Sequence, residues 1–257
     1  MRKVLFWFAV TALTAALTVC IFFPAAWLAP VIERHTDGRL TLGDAQGTLW
    51  RGSAFLGGAP GPGGSVTPLF PGRFSWSVSP LILVGSVNVT LSNPDALAQA
   101  VQVTGSWSQW QLSAGQLLLP AASLAGLGAP LNTLAPSGSM RLSWNVLDLA
   151  RAGQAVALTG RTVLAMDDMG SRMSQVNPLG SYEMALDWRG QNAQLNLRTV
   201  KGALLLSGAG ALDRGRLTFS GQASAAEGYE ESLGNLLNLL GQRRLVNGKN
   251  IIALEFK

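Results

Sequence analysis

The side chains that could do chemistry are few and widely spaced. His35 is the one histidine and Cys20 the one cysteine, so the chain cannot assemble a Cys/His zinc set or a relay built on several histidines. A serine hydrolase would carry its nucleophile in G-x-S-x-G at a strand-to-helix turn, and the sequence contains no such run. Carboxylates occur as the neighbours Asp167 and Asp168, and Glu230 and Glu231. Adjacent positions point to opposite sides of a strand and do not face each other on a helix, so neither pair makes an acid and base couple. Gly208-Ala209-Gly210 starts like a dinucleotide-binding loop, but Asp213 stands where the third glycine belongs and Arg214-Gly215-Arg216 reads as a hairpin turn. Gly248-Lys249 lacks the Ser or Thr, and the earlier glycine, of a phosphate-binding loop. Asn88-Val89-Thr90 matches a glycosylation triplet and is read as strand. No catalytic, cofactor-binding or metal-binding residue is expected.

The elements that would position any site begin with residues 4–32, which hold no charged side chain and follow Arg2 and Lys3. From Val4 to Phe23 a helix would rise about 30 Å, the depth of a bilayer's hydrocarbon layer. Pro24 stops it, and Trp7 and Trp27 fall near its two borders, where indoles favour head groups. A cleaved signal peptide has a shorter apolar core and a small-residue cleavage site, and Ala25-Ala26-Trp27-Leu28 fits one poorly. The expectation is therefore a retained single-pass anchor in the inner membrane, marked by Val4, Trp7, Phe23 and Trp27. The basic pair places its N-terminus in the cytoplasm, with residues 33–257 exported to the periplasm. Ala12, Ala16 and Cys20 recur every four residues, the small-residue stripe that lets membrane helices approach one another, and are candidates for a transmembrane helix contact.

Of 19 basic residues, 17 remain once Arg2 and Lys3 are set aside, against 14 acidic ones, a net of +3 for the exported part. Arg243, Arg244 and Lys249 form the nearest approach to a basic cluster, too little for a nucleic-acid binder. Apolar residues alternate with polar ones at the strand period: Tyr182, Met184, Leu186 and Trp188, then Ala193, Leu195 and Leu197 across a turn at 189–191. Residues 203–210 and 216–224 continue the pattern, and Phe74, Trp76 and Val78, Val87, Val89 and Leu91, and Met140, Leu142 and Trp144 repeat it earlier. Trp76, Trp107, Trp110, Trp144 and Trp188 are read as sheet core, not as ligand-stacking residues. Residues 57–72 are mostly Gly and Pro and read as loop.

Two leucine-rich segments break the alternation. Residues 121–134 place Leu124, Leu127, Leu131 and Leu134 at helical steps, interrupted by Gly126, Gly128 and Pro130. Residues 227–240 make a better helix, with Glu230 and Glu231 in its first turn and Gly241 after its end. Each precedes a strand, which suggests a duplicated unit with sub-units 36–145 and 146–257. The fold class expected is mainly β: a single N-terminal transmembrane helix, then a curved antiparallel sheet domain with one or two short helices.

Gly47-Thr48-Leu49-Trp50-Arg51-Gly52 opens the exported part. Downstream come Leu119-Pro120-Ala121 leading to Pro136-Ser137-Gly138, Asn177-Pro178-Leu179-Gly180-Ser181-Tyr182, the strand at 202–210, and a last leucine-rich helix before 251–256. In this order and spacing the chain resembles the type II secretion system protein N family, also called general secretion pathway protein N. The resemblance implies a non-catalytic accessory component of the inner membrane that serves export of folded proteins across the outer membrane, without cofactors. It implies other inner-membrane secretion subunits, and the secretin, as partners. A more distant similarity to AsmA-type envelope proteins implies, as the alternative, a sheet groove that binds or guides lipid.

Overall fold

The computed structural model describes all residues except 1, 62, 129–130, 154, 247–248 and 257, and leaves the side chains of 2–5, 9, 13, 15–17, 20, 239–240, 242–250 and 256 undescribed. Helix α1 spans Arg2–Ile21 and, after a 3₁₀ turn at Ala25–Trp27, α2 spans Leu28–His35. Strands follow at Leu40–Gly47 (β1), Arg51–Gly58 (β2), Thr67–Pro68 (β3), Phe74–Val78 (β4), Ser86–Ser92 (β5), Val101–Ser106 (β6), Gln109–Leu112 (β7) and Gly115–Pro120 (β8). A 3₁₀ turn at Ala121–Leu127 and helix α3, Leu131–Leu134, lead to Pro136–Trp144 (β9), Leu147–Ala152 (β10), Ala155–Ser171 (β11), Gly180–Gly190 (β12), Asn192–Gly202 (β13), Leu204–Asp213 (β14) and Arg216–Ala225 (β15). Helix α4, Glu230–Leu240, precedes the closing hairpin, Gln242–Val246 (β16) and Lys249–Phe256 (β17).

The 17 strands among the described residues belong to one sheet, and every named pair is antiparallel. The chain meanders across it from β1 to β15, and only the last hairpin departs from sequence order, because β17 joins β15 and leaves β16 outermost. In the middle, the broken strand β7–β8 lies beside the broken strand β10–β9: Leu112 faces Leu147 and Gly115 faces Trp144. The 17-residue β11 bridges both pieces, pairing first with β10 and then with β9. Gly160, at φ +137° between these two sets of pairs, supplies the backbone kink that exchanging partners requires. The boundary between the expected sub-units 36–145 and 146–257 falls between β9 and β10, inside one continuous sheet.

Several expectations are refined by this architecture. The helix expected over 121–134 is a 3₁₀ turn followed by the short α3, consistent with glycines that weaken a helix interior. The helix expected from 227 starts at Glu230. Within the 57–72 loop, β3 pairs with the end of β2, and Ala59 and Leu69 are buried. The expected anchor falls on α1, 20 residues long, where the side chains of Val4, Ala16 and Cys20 lie outside the described residues. Among the described residues no helix is long and apolar enough to cross a membrane. The span is thus not shown by the structure.

The densest core lies where α4 covers the sheet. Leu233, fully buried, packs with Leu236 and Leu237 against Leu204, Ala223 and Ile252 of β14, β15 and β17. The four leucines and isoleucine so enclosed each contribute roughly 2 kcal/mol by removal of apolar surface from water.

Candidate functional surface

Alternation and register together give the sheet two faces of opposite character. Strand neighbours in register share a face, so one line of side chains can be followed across eight strands. It runs Leu117, Leu142, Leu164, Met184 and Leu197, then over Gly208 and Gly221 to Leu254. At about 4.8 Å per strand this apolar line is about 34 Å long. Its leucines and Met184 are half-buried. Helix α2 packs on β1, α4 on β15 and β17, and the 3₁₀ turn at Ala121–Leu127 on β3, β8 and β9.

The opposite face is charged and paired. Arg198 meets Glu183 at 2.9 Å, Arg161 lies 3.8 Å from Asp187, and Arg141 lies 3.9 Å from Asp167. These exposed cross-strand pairs contribute at most about 1 kcal/mol each, so their main effect is to keep this face in water.

Aromatic rings on the apolar face sit opposite glycines. Trp76 registers with Gly52, Trp110 with Gly105, Trp144 with Gly115, Trp188 with Gly160, and Phe219 with Gly210. Where the glycine leaves room, the ring folds down on the sheet: a Cβ on Gly115 would lie 2.5 Å from Trp144 Cζ2, and one on Gly221 would lie 2.7 Å from Phe219 Cε1. The indole N–H groups find acceptors, Trp144 at Ser113 O (2.9 Å), Trp76 at Leu49 O (3.1 Å) and Trp188 at Thr162 Oγ1 (3.1 Å). These rings are half-buried sheet residues. Trp107 departs from the expectation of a buried core residue: it is 58% exposed at the β6–β7 turn, where a hairpin tip offers nothing to cover it.

The residues weighed for chemistry do not converge. Asp167 faces Arg141, whereas Asp168, at φ +48° in a bulge of β11, meets Lys201 at 3.0 Å and Ser181 Oγ at 3.4 Å. His35 Nδ1 lies 2.8 Å from Val31 O at the exposed end of α2. Glu230 Oε2 accepts from Gly228 N at 2.9 Å ahead of α4. Gly208-Ala209-Gly210 stands inside β14, so it is not a loop. Arg243 and Arg244 belong to β16 and Lys249 to β17, with side chains outside the described residues. Among the described residues no group of three or more His, Cys, Asp or Glu could hold a metal ion.

The two described anchor aromatics beyond α1 do meet: the Phe23 and Trp27 rings pack edge to face, centroids 5.0 Å apart. Trp7, 67% exposed, lies toward the other end of α1 beside Phe6, and Ala12 is exposed. The main chain then fastens the N-terminal segment to the sheet, Leu49 N donating to Phe23 O at 2.8 Å and Pro24 bridging Thr48. A cleft of about 660 Å³ opens there, lined by Ile21, Arg51, Ser79, Leu83, Asn88 and Thr90 among others. One part of it went unread in the sequence: the 3₁₀ turn Pro80–Val84, signalled by Ser79 as its cap, Pro80 at its start and Gly85 at its end.

The fold is thus one wide antiparallel meander with an apolar and a charged face. The family model for type II secretion system (T2SS), protein N matches residues 38–250, so the chain belongs to that family. No curated protein and no solved structure matches the chain.

Proposed function

We propose that this protein is a non-catalytic accessory component of the type II secretion system, held in the inner membrane by residues 4–23 with its N-terminus in the cytoplasm. Residues 33–257 then form its periplasmic domain and support export of folded proteins across the outer membrane. The observation that carries the reading is the family match over 38–250. The dispersal of the charged side chains into separate pairs is consistent with it. Other inner-membrane secretion subunits, and the secretin, are the proposed partners. They would add strands at the β16 edge or pack on the apolar face, the two surfaces of a sheet suited to such contacts. Within the membrane, Ala12, Ala16 and Cys20 are the proposed helix contact.

The test is deletion of the gene with assay of exoprotein release, followed by co-purification from detergent with the restored full chain. Restored release and recovery of secretion subunits are expected. Normal release without the gene, together with no subunit recovered, defeats the proposal.

A second reading is favoured by one observation, the apolar line from Leu117 to Leu254. A face of that length suits acyl chains, and lipid would then appear in mass spectra of the purified protein.

A further inference from the structure

Hairpin turns alternate between the two ends of a meander, and the register places the turns at 48–50, 79–85, 107–108, 190–191 and 214–215 at one end, with Gly153 following β10 there. The N-terminal segment arrives at this same end, through the bond from Leu49 N to Phe23 O and the bridge of Pro24 with Thr48. Ile21, the last residue of α1, lines one cleft with Arg51, Pro80 and Leu83.

Composition is sorted along this end. Nearest the helix, large apolar side chains stand outward: Leu81 is 57%, Leu83 59%, Val84 76% and Trp107 58% exposed. The Trp107 indole N–H donates to Ile82 O and so ties the two turns into one patch. In the N-terminal segment next to Ile21, Phe22 and Trp27 are also 67% and 58% exposed. Farther across the sheet the turns carry exposed Arg151, Arg189, Arg214 and Arg216, against one acidic residue, Asp213, which Arg214 meets at 3.4 Å. The opposite end is of mixed charge, carrying Asp95, Asp168, Glu227, Glu230 and Glu231 alongside Arg39, Arg172 and Lys201.

Burying the patch within this chain would need covering side chains that the neighbouring turns do not supply. An apolar wedge flanked by arginines matches the boundary of an anionic bilayer, where aromatic and aliphatic tips settle below the head groups. We propose that this turn end rests on the surface of an anionic phospholipid bilayer, with Leu81, Leu83, Val84 and Trp107 inserted and the four arginines over the head groups. The inference deepens the anchored reading above and rests on it, since it is the end of the anchor that brings the patch to the bilayer. Strands β4–β7 then rise from the membrane, and α3 and α4 lie at the end away from it.

The test uses the full chain with Cys20→Ser, reconstituted in vesicles of phosphatidylcholine and phosphatidylglycerol, with and without brominated acyl chains. An environment-sensitive fluorophore is attached, in separate preparations, at Leu83→Cys, at Val19→Cys in α1 and at Glu227→Cys at the far end. Brominated lipid is expected to cut the emission at 19 and 83 by half or more and to leave 227 unchanged. Quenching at 19 without quenching at 83 overturns the docking and spares the anchor. Absence of quenching at 19 overturns the anchor, and the signal at 83 then still decides the docking, present in its favour and absent against it. Replacing Arg189, Arg214 and Arg216 by Glu is expected to weaken quenching at 83 severalfold, and an unchanged signal overturns the role given to the arginines.

Discussion

The indole of Trp144 lies across the α-carbon of Gly115, its partner on the neighbouring strand, and hydrogen-bonds Ser113 O at 2.9 Å. A methyl group on Gly115 would meet Cζ2 at 2.5 Å, so Gly115→Ala must lift the ring off the sheet. The expected loss is about 1–3 kcal/mol, the usual cost of overpacking, read as a lower urea midpoint with an unchanged slope. An unaltered midpoint would mean that the ring is not held there.

Gly160 poses a backbone demand instead. At φ +137° it kinks β11 where pairing passes from β10 to β9, and Leu147 Cδ2 would lie 2.5 Å from an added Cβ. Gly160→Val combines a strained φ with a clash and is expected to destabilise by about 2 kcal/mol or more. Amide exchange should quicken on β9 and β10 together, since both use β11 as their template.

How far the sheet could be read from sequence follows from which positions alternate. Tyr182, Met184, Leu186 and Trp188 were legible because β12 has one apolar and one charged face, and the pairing of β12 with β13 follows from the short turn at 190–191. The 17-residue β11 was not, because Val163, Leu164, Ala165 and Met166 form an apolar run without period, which by itself does not separate strand from helix. The sheet groove entered only as the alternative that the AsmA-type similarity implies, and the extent of the apolar face depends on registers that no local pattern encodes. The turn Pro80–Val84 was missed because five residues are too few for a helical period. Trp107 was misassigned because exposure is a property of the hairpin tip, not of the residue type.

Tyr182 gives the sheet a pH limit. Its hydroxyl donates to Leu204 O at 3.0 Å, and burial pushes its pKa from 10.0 up to about 12. Between these values the unfolded chain loses the phenolic proton and the folded chain keeps it, so stability is full below pH 10 and falls as pH rises toward 12. Tyr182→Phe should abolish that part of the alkaline decline, while lowering stability at neutral pH by about 1 kcal/mol for the lost hydrogen bond. Absorbance titration of a Tyr229→Phe variant, whose remaining tyrosine is Tyr182, should show the delayed ionisation.

Arg73 holds the irregular end of β1. It donates to Asp44 Oδ2 at 2.5 Å and to Asp44 O at 2.6 Å, and stacks over the Phe55 ring at 4.6 Å. Asp44 stands at φ +47° where the β1–β2 register shifts, and the bond from Arg73, joined by that from Gln46, lowers its carboxyl pKa. In Arg73→Ala the Asp44 pKa should rise toward the ordinary carboxylate value, followed by NMR. Amide protection on β1 should fall, whereas β4 keeps its pairing with β5.

Leu197 and Asn196 are neighbours on β13 that point to opposite faces, Leu197 half-buried in the apolar line and Asn196 exposed beside the ion pairs. A carboxylate introduced at either site adds the same charge, so any difference between the two reports which face works. If the apolar face receives a secretion subunit or lipid, Leu197→Glu places an unpaired charge in that contact, a penalty of several kcal/mol when the site is desolvated. Exoprotein release by Leu197→Glu cells is expected to fall at least tenfold, the loss that about 1.4 kcal/mol of binding represents. Asn196→Glu should leave release unchanged. Both purified variants must melt cooperatively for the comparison to count. Equal release from the two would move the working surface to the charged face or to the β16 edge, where a proline at Leu245 would remove one backbone donor and test strand addition directly.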